Sequence, residues 1–140
     1  MPDKPIATLL WHSGMRFVAR SPSGHGLIVE SVSGADHLGP SPTELLLIAV
    51  AGCSGMDVVS ILKKMHEPLA GLEISVTGER ASDHPKYFTA IEILYHAKGR
   101  GISREKLERA VSLSQSTYCS VLATLRPDCK VTSRIEISEE

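Results

Sequence analysis

Two thiols carry the chemistry that this sequence could perform. Cys53 lies in the apolar stretch Glu44-Leu-Leu-Leu-Ile-Ala-Val-Ala-Gly-Cys-Ser-Gly-Met56, and Cys119 lies in Ser116-Thr-Tyr-Cys-Ser-Val-Leu122, 66 positions later. That spacing is too wide for a local Cys-x-x-Cys redox or zinc motif, so the sulfurs act together only if folding joins them. A thiol with the reference pKa of about 8.5 is mostly protonated at pH 7 and needs a cation, a helix N-terminus or another anion stabiliser to become reactive. Cys53, in the middle of an apolar helix, has no free backbone N–H beside it. It requires an arginine from elsewhere in the fold, and an inert core cysteine is its plain alternative. Cys119 gains from local amides if it starts a short helix, and loses that gain if one helix runs on from Ser114. Cys129, in Pro127-Asp-Cys-Lys130, reads as an incidental exposed thiol.

The elements that must position these residues follow from patterning. Ala7 to Trp11, Arg16 to Ala19 and Gly26 to Ser31 are short apolar or alternating segments. They are separated by Ser13-Gly14 and by Ser21-Pro-Ser-Gly-His-Gly26, which predicts a three-stranded antiparallel meander. A polar loop, Ser33 to Pro40, leads to Ser41-Pro-Thr-Glu44. There Ser41 is a candidate N-cap, Pro42 the first helical residue and Glu44 the reciprocal partner of a capping box. The helix is expected to run to about Met65, before Pro68, and to be roughly 35 Å long. It is apolar around most of its circumference from Leu45 to Met56, so it should be buried on several sides, and a homodimer interface would supply the missing cover. Gly52 and Gly55 each cost about 1 kcal/mol relative to alanine in a helix and point to the close approach of another backbone or to tight helix packing.

Leu72 to Glu79 and Phe88 to Ala97 alternate and read as a long hairpin around Asp83-His-Pro-Lys86. Ser103 caps a helix through about Ser116, a shorter helix follows over Cys119 to Leu125, and Lys130 to Ile137 is a closing strand. The order β-β-β-α-β-β-α-α-β describes a single α+β domain over residues 1–140, with its long central helix packed on antiparallel sheet.

Composition narrows the function classes. A chain of 140 residues is large enough to bury about two-thirds of its unfolded surface. With 15 basic and 16 acidic residues and no basic run, nucleic acid is an unfavourable partner. Met1-Pro-Asp-Lys-Pro5 lacks the pattern of a secretory signal, and no unbroken apolar run reaches the roughly 18 residues that span a membrane, so a cytoplasmic location without membrane contact is expected. Three cysteines without framework spacing argue against structural disulfides. The six histidines, His12, His25, His37, His66, His84 and His96, lack metal-ligand spacing, so neither a metal nor a cofactor is expected. Ser54, Ser116 and Ser120 stand in no acylation motif and receive no role.

Ser41-Pro-Thr-Glu-Leu-Leu-Leu47, Ala51-Gly-Cys-Ser54 and Tyr118-Cys-Ser-Val121 together resemble the OsmC and organic hydroperoxide resistance (Ohr) proteins over nearly the whole chain. Gly52 to Leu62 is most similar to the YhfA-like branch. The resemblance implies an intertwined homodimer and, by analogy with the characterised branches, a thiol peroxidase. Cys53 would attack an organic hydroperoxide, Cys119 would resolve the product to a disulfide, and an external dithiol would restore the pair. The peroxidase pattern also has a glutamate ten positions before the first cysteine, orienting an arginine onto the thiolate. Here that position is Thr43, and Glu44, one place later, falls on the opposite helix face from Cys53 because each residue turns the helix by about 100°. Its capping role accounts for Glu44 without catalysis. Arg16 and Arg20 are the candidate arginines, and each reads equally as a solvated strand residue. The alternative function is a non-enzymatic dimer that binds an apolar small molecule in its cleft.

Overall fold

The computed structural model describes residues 4–31 and 36–139. Positions 1–3 of the N-terminal segment and 33–35 of the polar loop lie outside the described residues. The chain forms two compact units, Met1–Leu46 and Leu47–Glu140.

The first unit holds the meander, β1 (Thr8–Ser13), β2 (Arg16–Arg20) and β3 (Gly26–Glu30), paired antiparallel in that order. Gly14 and Gly24 adopt positive φ in the two turns, a conformation that glycine reaches without a Cβ clash. The register sets Arg16 directly opposite Glu30. Leu9, Leu10, Trp11 and Val18 of this sheet stay exposed.

Helix α1 (Pro42–Lys64) begins in the first unit and continues through the second. The capping box forms as its sequence predicts: the Ser41 amide donates to Glu44 Oε1 at 2.9 Å, and the Glu44 amide donates to Ser41 Oγ at 3.2 Å. At the other end His66 takes φ +58°. Its amide reaches Lys63 O, and the Glu67 amide reaches Leu62 O, a Schellman closure on a residue that is not glycine.

The second unit is built on β4 (Gly71–Arg80), β5 (Phe88–Lys98) and β6 (Lys130–Ser138), with β5 in the middle. Alternation buries Ile91, Ile93, Tyr95 and Ala97 of β5 almost completely. They share the core with Val50, Val58 and Leu62 of α1 and with Leu107, Ala110 and Val111 of α2 (Arg104–Leu113). Burying a side chain of this size is worth about 1.5–3 kcal/mol. Ser103 Oγ caps α2 by accepting from the Lys106 amide at 3.2 Å. A π-helical turn, Ser114–Tyr118, then separates α2 from the short α3 (Ser120–Thr124).

Two expectations change, and two further observations concern α1. The sheet of the second unit is mixed, because β6 runs parallel to β5. The helices between them form a crossover that returns the chain to the end of the sheet where β5 began, which a tight antiparallel hairpin cannot do. The expected close approach at the helix glycines is also different in kind. A Cβ at Gly55 would meet Ile74 Cδ1 of β4 at 2.8 Å, a side chain and not a backbone, whereas one at Gly52 would meet nothing within 4 Å. Among the described residues Val50, Ser54, Gly55, Val58 and Leu62 of α1 are buried, while Ile48, Met56 and Val59 are exposed. Finally, α1 is long and apolar enough to cross a membrane by length and composition. Counting unbroken apolar residues missed this because Ser54 and Asp57 interrupt the run without lowering its average hydropathy below that of a span.

Candidate functional site: two thiols and a carboxylate

The crossover that makes β6 parallel also carries Cys119 to α1. The sulfurs of Cys53 and Cys119 and a carboxylate oxygen of Asp57 all lie within 4.8 Å of one another. Cys53 and Asp57 are four residues apart on α1, one turn along the same face, and both are half-buried. Cys119 is buried, and it arrives from the end of the π-helical turn as the N-cap of α3. Of the two readings of Ser114 to Cys119, the broken helix is the one that forms: the Cys119 sulfur accepts from the Leu122 amide at 3.4 Å. Burial nevertheless pushes the Cys119 thiol above its ordinary value. The Leu122 amide opposes that rise, and the neighbouring Cys53 thiol adds to it.

Behind the thiols runs a buried polar chain that the sequence reading did not single out. Gln115 Nε2 donates to Tyr95 Oη at 3.3 Å. Tyr95 Oη and Ser54 Oγ are 2.6 Å apart, Ser54 Oγ and Ser114 Oγ are 2.9 Å apart, and Ser114 Oγ donates to Asp57 Oδ2 at 2.9 Å. Each hydroxyl has one proton to give, so the carboxylate end fixes the order. Tyr95 donates to Ser54, Ser54 donates to Ser114, and Ser114 spends its proton on the carboxylate. Burial raises the Tyr95 phenol, against its hydrogen bonds with Ser54 and Gln115, so it keeps the proton that it donates. Among the described residues no buried side-chain nitrogen or oxygen lacks a partner. Asp57 and Ser54 were legible as polar residues interrupting an apolar helix, the one signal that could have marked them.

The other sequence candidates have different partners. Arg16 Nε donates to Glu30 Oε2 at 2.8 Å, and its Nη2 donates to Asp36 O at 2.9 Å. Glu30 also accepts from the Leu38 and Gly39 amides. Although burial raises the Glu30 carboxyl, the Arg16 and Gly39 bonds leave it below the usual range. Arg20 is exposed, its guanidinium beside Gly24 at the turn from β2 to β3. Glu44 is taken up by Ser41. Cys129, expected to be exposed, is half-buried, and burial raises its thiol.

Residues 34–134 match the OsmC-like protein family. The chain belongs to that family. It is 37% identical over 131 residues to Protein YhfA of Escherichia coli (strain K12), covering 94% of this chain and 96% of that protein. Among solved structures, a hypothetical protein from Aquifex aeolicus VF5 is 33% identical, with a TM-score of 0.81 over 99% of this chain and all of that one (100%). The organic hydroperoxide resistance protein OhrB of Bacillus subtilis shares the OsmC-like fold at 18% identity, with a TM-score of 0.66 over 97% of this chain and 98% of its own. The α+β OsmC-like architecture expected from the sequence is therefore the one observed.

Proposed function

We propose that this OsmC-like protein is a cysteine-based organic hydroperoxide reductase. The observation that carries the reading is the pair of sulfurs within 4.8 Å, contributed by residues 66 positions apart. Cys53, the more exposed thiol, attacks the distal peroxide oxygen as its thiolate. The O–O bond breaks, the alkoxide takes a proton and leaves as an alcohol, and Cys53 becomes a sulfenic acid. The Cys119 sulfur then displaces hydroxide, which leaves as water with the Cys119 proton, and a disulfide forms. An external dithiol supplies the two electrons that return both thiols. The apolar surroundings favour alkyl or acyl substituents, each buried methylene adding about 0.8 kcal/mol of binding. A cytoplasmic homodimer fits the exposed apolar faces of α1 and of the meander, which a second copy would cover.

A second reading, a dimer that binds an apolar small molecule without turnover, draws on different observations. Thr43 stands at the glutamate position, the Asp57 carboxylate lies within 4.8 Å of both sulfurs, and a groove of about 520 Å³ runs along Gly52, Gly55, Met56, Val59, Leu72 and Ile74. Stoichiometric cumene hydroperoxide followed by intact mass separates the two. Loss of two hydrogens in the wild type and gain of one oxygen in Cys119→Ser support the reductase. An unchanged wild-type mass overturns it.

A further inference from the structure

We propose that the reduced protein binds a divalent zinc-like ion through Cys53, Cys119 and Asp57. Two sulfurs and a carboxylate oxygen already converge within 4.8 Å. A tetrahedral zinc site with Zn–S near 2.3 Å and Zn–O near 2.1 Å asks for donor separations of about 3.5–3.8 Å, which modest side-chain rotations supply. Thiolate donors with one carboxylate select zinc and its softer congeners over magnesium or calcium.

Three features of the surroundings are those of a coordination site. Cys53 and Asp57 project from one face of a regular helix, so their separation is set by secondary structure and not by a loop. Asp57 Oδ2 is oriented by Ser114 Oγ at 2.9 Å, the kind of outer partner that fixes a ligating carboxylate, and Ser114 is itself held by buried Ser54. Among the described residues Asp57 has no ion-pair partner and accepts a hydrogen bond from the Ser114 hydroxyl, so a divalent cation would offset most of the negative charge that the carboxylate and two thiolates bring together. Three protein donors leave a fourth tetrahedral position for water or an exogenous ligand. The inference goes beyond peroxide turnover and does not depend on it, since it requires only where the donor atoms stand.

The test uses full-length reduced protein, with Cys129→Ser removing the third thiol, titrated anaerobically with cadmium. The ultraviolet thiolate-to-cadmium charge-transfer band reports the bond, and zinc is read by competition with a chromophoric chelator. One ion per chain is expected, with the band reduced by about half in Cys53→Ser or Cys119→Ser as one of two thiolates is lost, and affinity about tenfold or more weaker in Asp57→Asn. Circular dichroism establishes that each near-isosteric variant is folded. Zinc should also protect both thiols of the wild type against alkylation, a reading that needs no variant. Absence of the band, an undiminished band in either cysteine variant, unchanged affinity in folded Asp57→Asn, or unprotected thiols would overturn the site, whatever the outcome with peroxide.

Discussion

Ser54 Oγ and Tyr95 Oη stand 2.6 Å apart, joining α1 to the middle strand of the second unit with neither residue exposed to solvent. Because Tyr95 is the donor, Ser54→Ala strands a buried phenolic proton, and a loss of about 1–3 kcal/mol is expected. Tyr95→Phe removes the donor and leaves Ser54 and Gln115 each one partner short, at a similar cost. The two losses should not add. A double-mutant cycle from urea unfolding should return a coupling of at least about 0.5 kcal/mol, and simple additivity would show that the hydroxyls do not act as a chain.

The acid limb of stability should follow Glu44 and Glu30. The Ser41 backbone amide and then the Ser41 hydroxyl hold the Glu44 carboxyl below its ordinary value, and Glu30 also ends below it. A carboxyl depressed in the folded state contributes stability above its unfolded pKa of about 4.3 and loses it as pH falls through the lower folded value. Urea midpoints measured downward from neutral pH should fall across that window, and Glu44→Gln and Glu30→Gln should each flatten the fall. Peroxide oxidation of Cys53 at neutral pH should be unchanged in Glu44→Gln, because the carboxylate serves the helix cap.

Thiol labelling should depend on pH in a residue-specific way. Burial raises both Cys119 and Cys129, so their alkylation at pH 7 should be slow and should accelerate as pH climbs past the ordinary thiol range. Iodoacetamide labelling with peptide mass mapping is expected to modify Cys53 first. Early labelling of Cys119 would remove the basis for giving it the resolving role.

Association should run through α1. Met56 is 75% exposed, and Ile48 and Val59 lie open on the same helix, a large apolar area for a lone chain. Sedimentation should show a dimer at micromolar concentration, and Met56→Glu should shift it toward monomer. Monomeric wild-type protein would count against the proposed assembly.

Much of the architecture was legible because local signals agreed with one another. Ser41-Pro-Thr-Glu44 marks a helix start whose two reciprocal bonds are both present, and apolar or alternating runs bounded by turn residues or proline located the strands of both sheets. The direction of β6 was not legible, since an alternating strand reads the same whether its neighbour runs parallel or antiparallel. The π-helical turn left no mark either, because Ser114-Gln-Ser-Thr-Tyr118 contains neither proline nor glycine. At the site, the meeting of Cys53 and Cys119 could be posed from sequence only as a condition on the fold. Asp57 was passed over because one acid on a helix usually faces water, although four residues from a cysteine in an apolar run it had few ways to do so. The Arg16 and Glu30 pair could have been found by laying the two strands of the meander side by side.

In the second unit, β5 is hydrogen-bonded along both edges, whereas among the described residues β4 and β6 each have a neighbour on one side only. Its amides from Ile91 to Ala97 should therefore be the last in that sheet to exchange with deuterium, opening only when the sheet itself comes apart. Tyr95 belongs to that strand, so the polar chain leading to Asp57 is moored to slow-exchanging backbone. Cys119 sits on short helical turns outside that sheet, and its amide, bonded to Ser114 O at 2.8 Å, should exchange before those of β5.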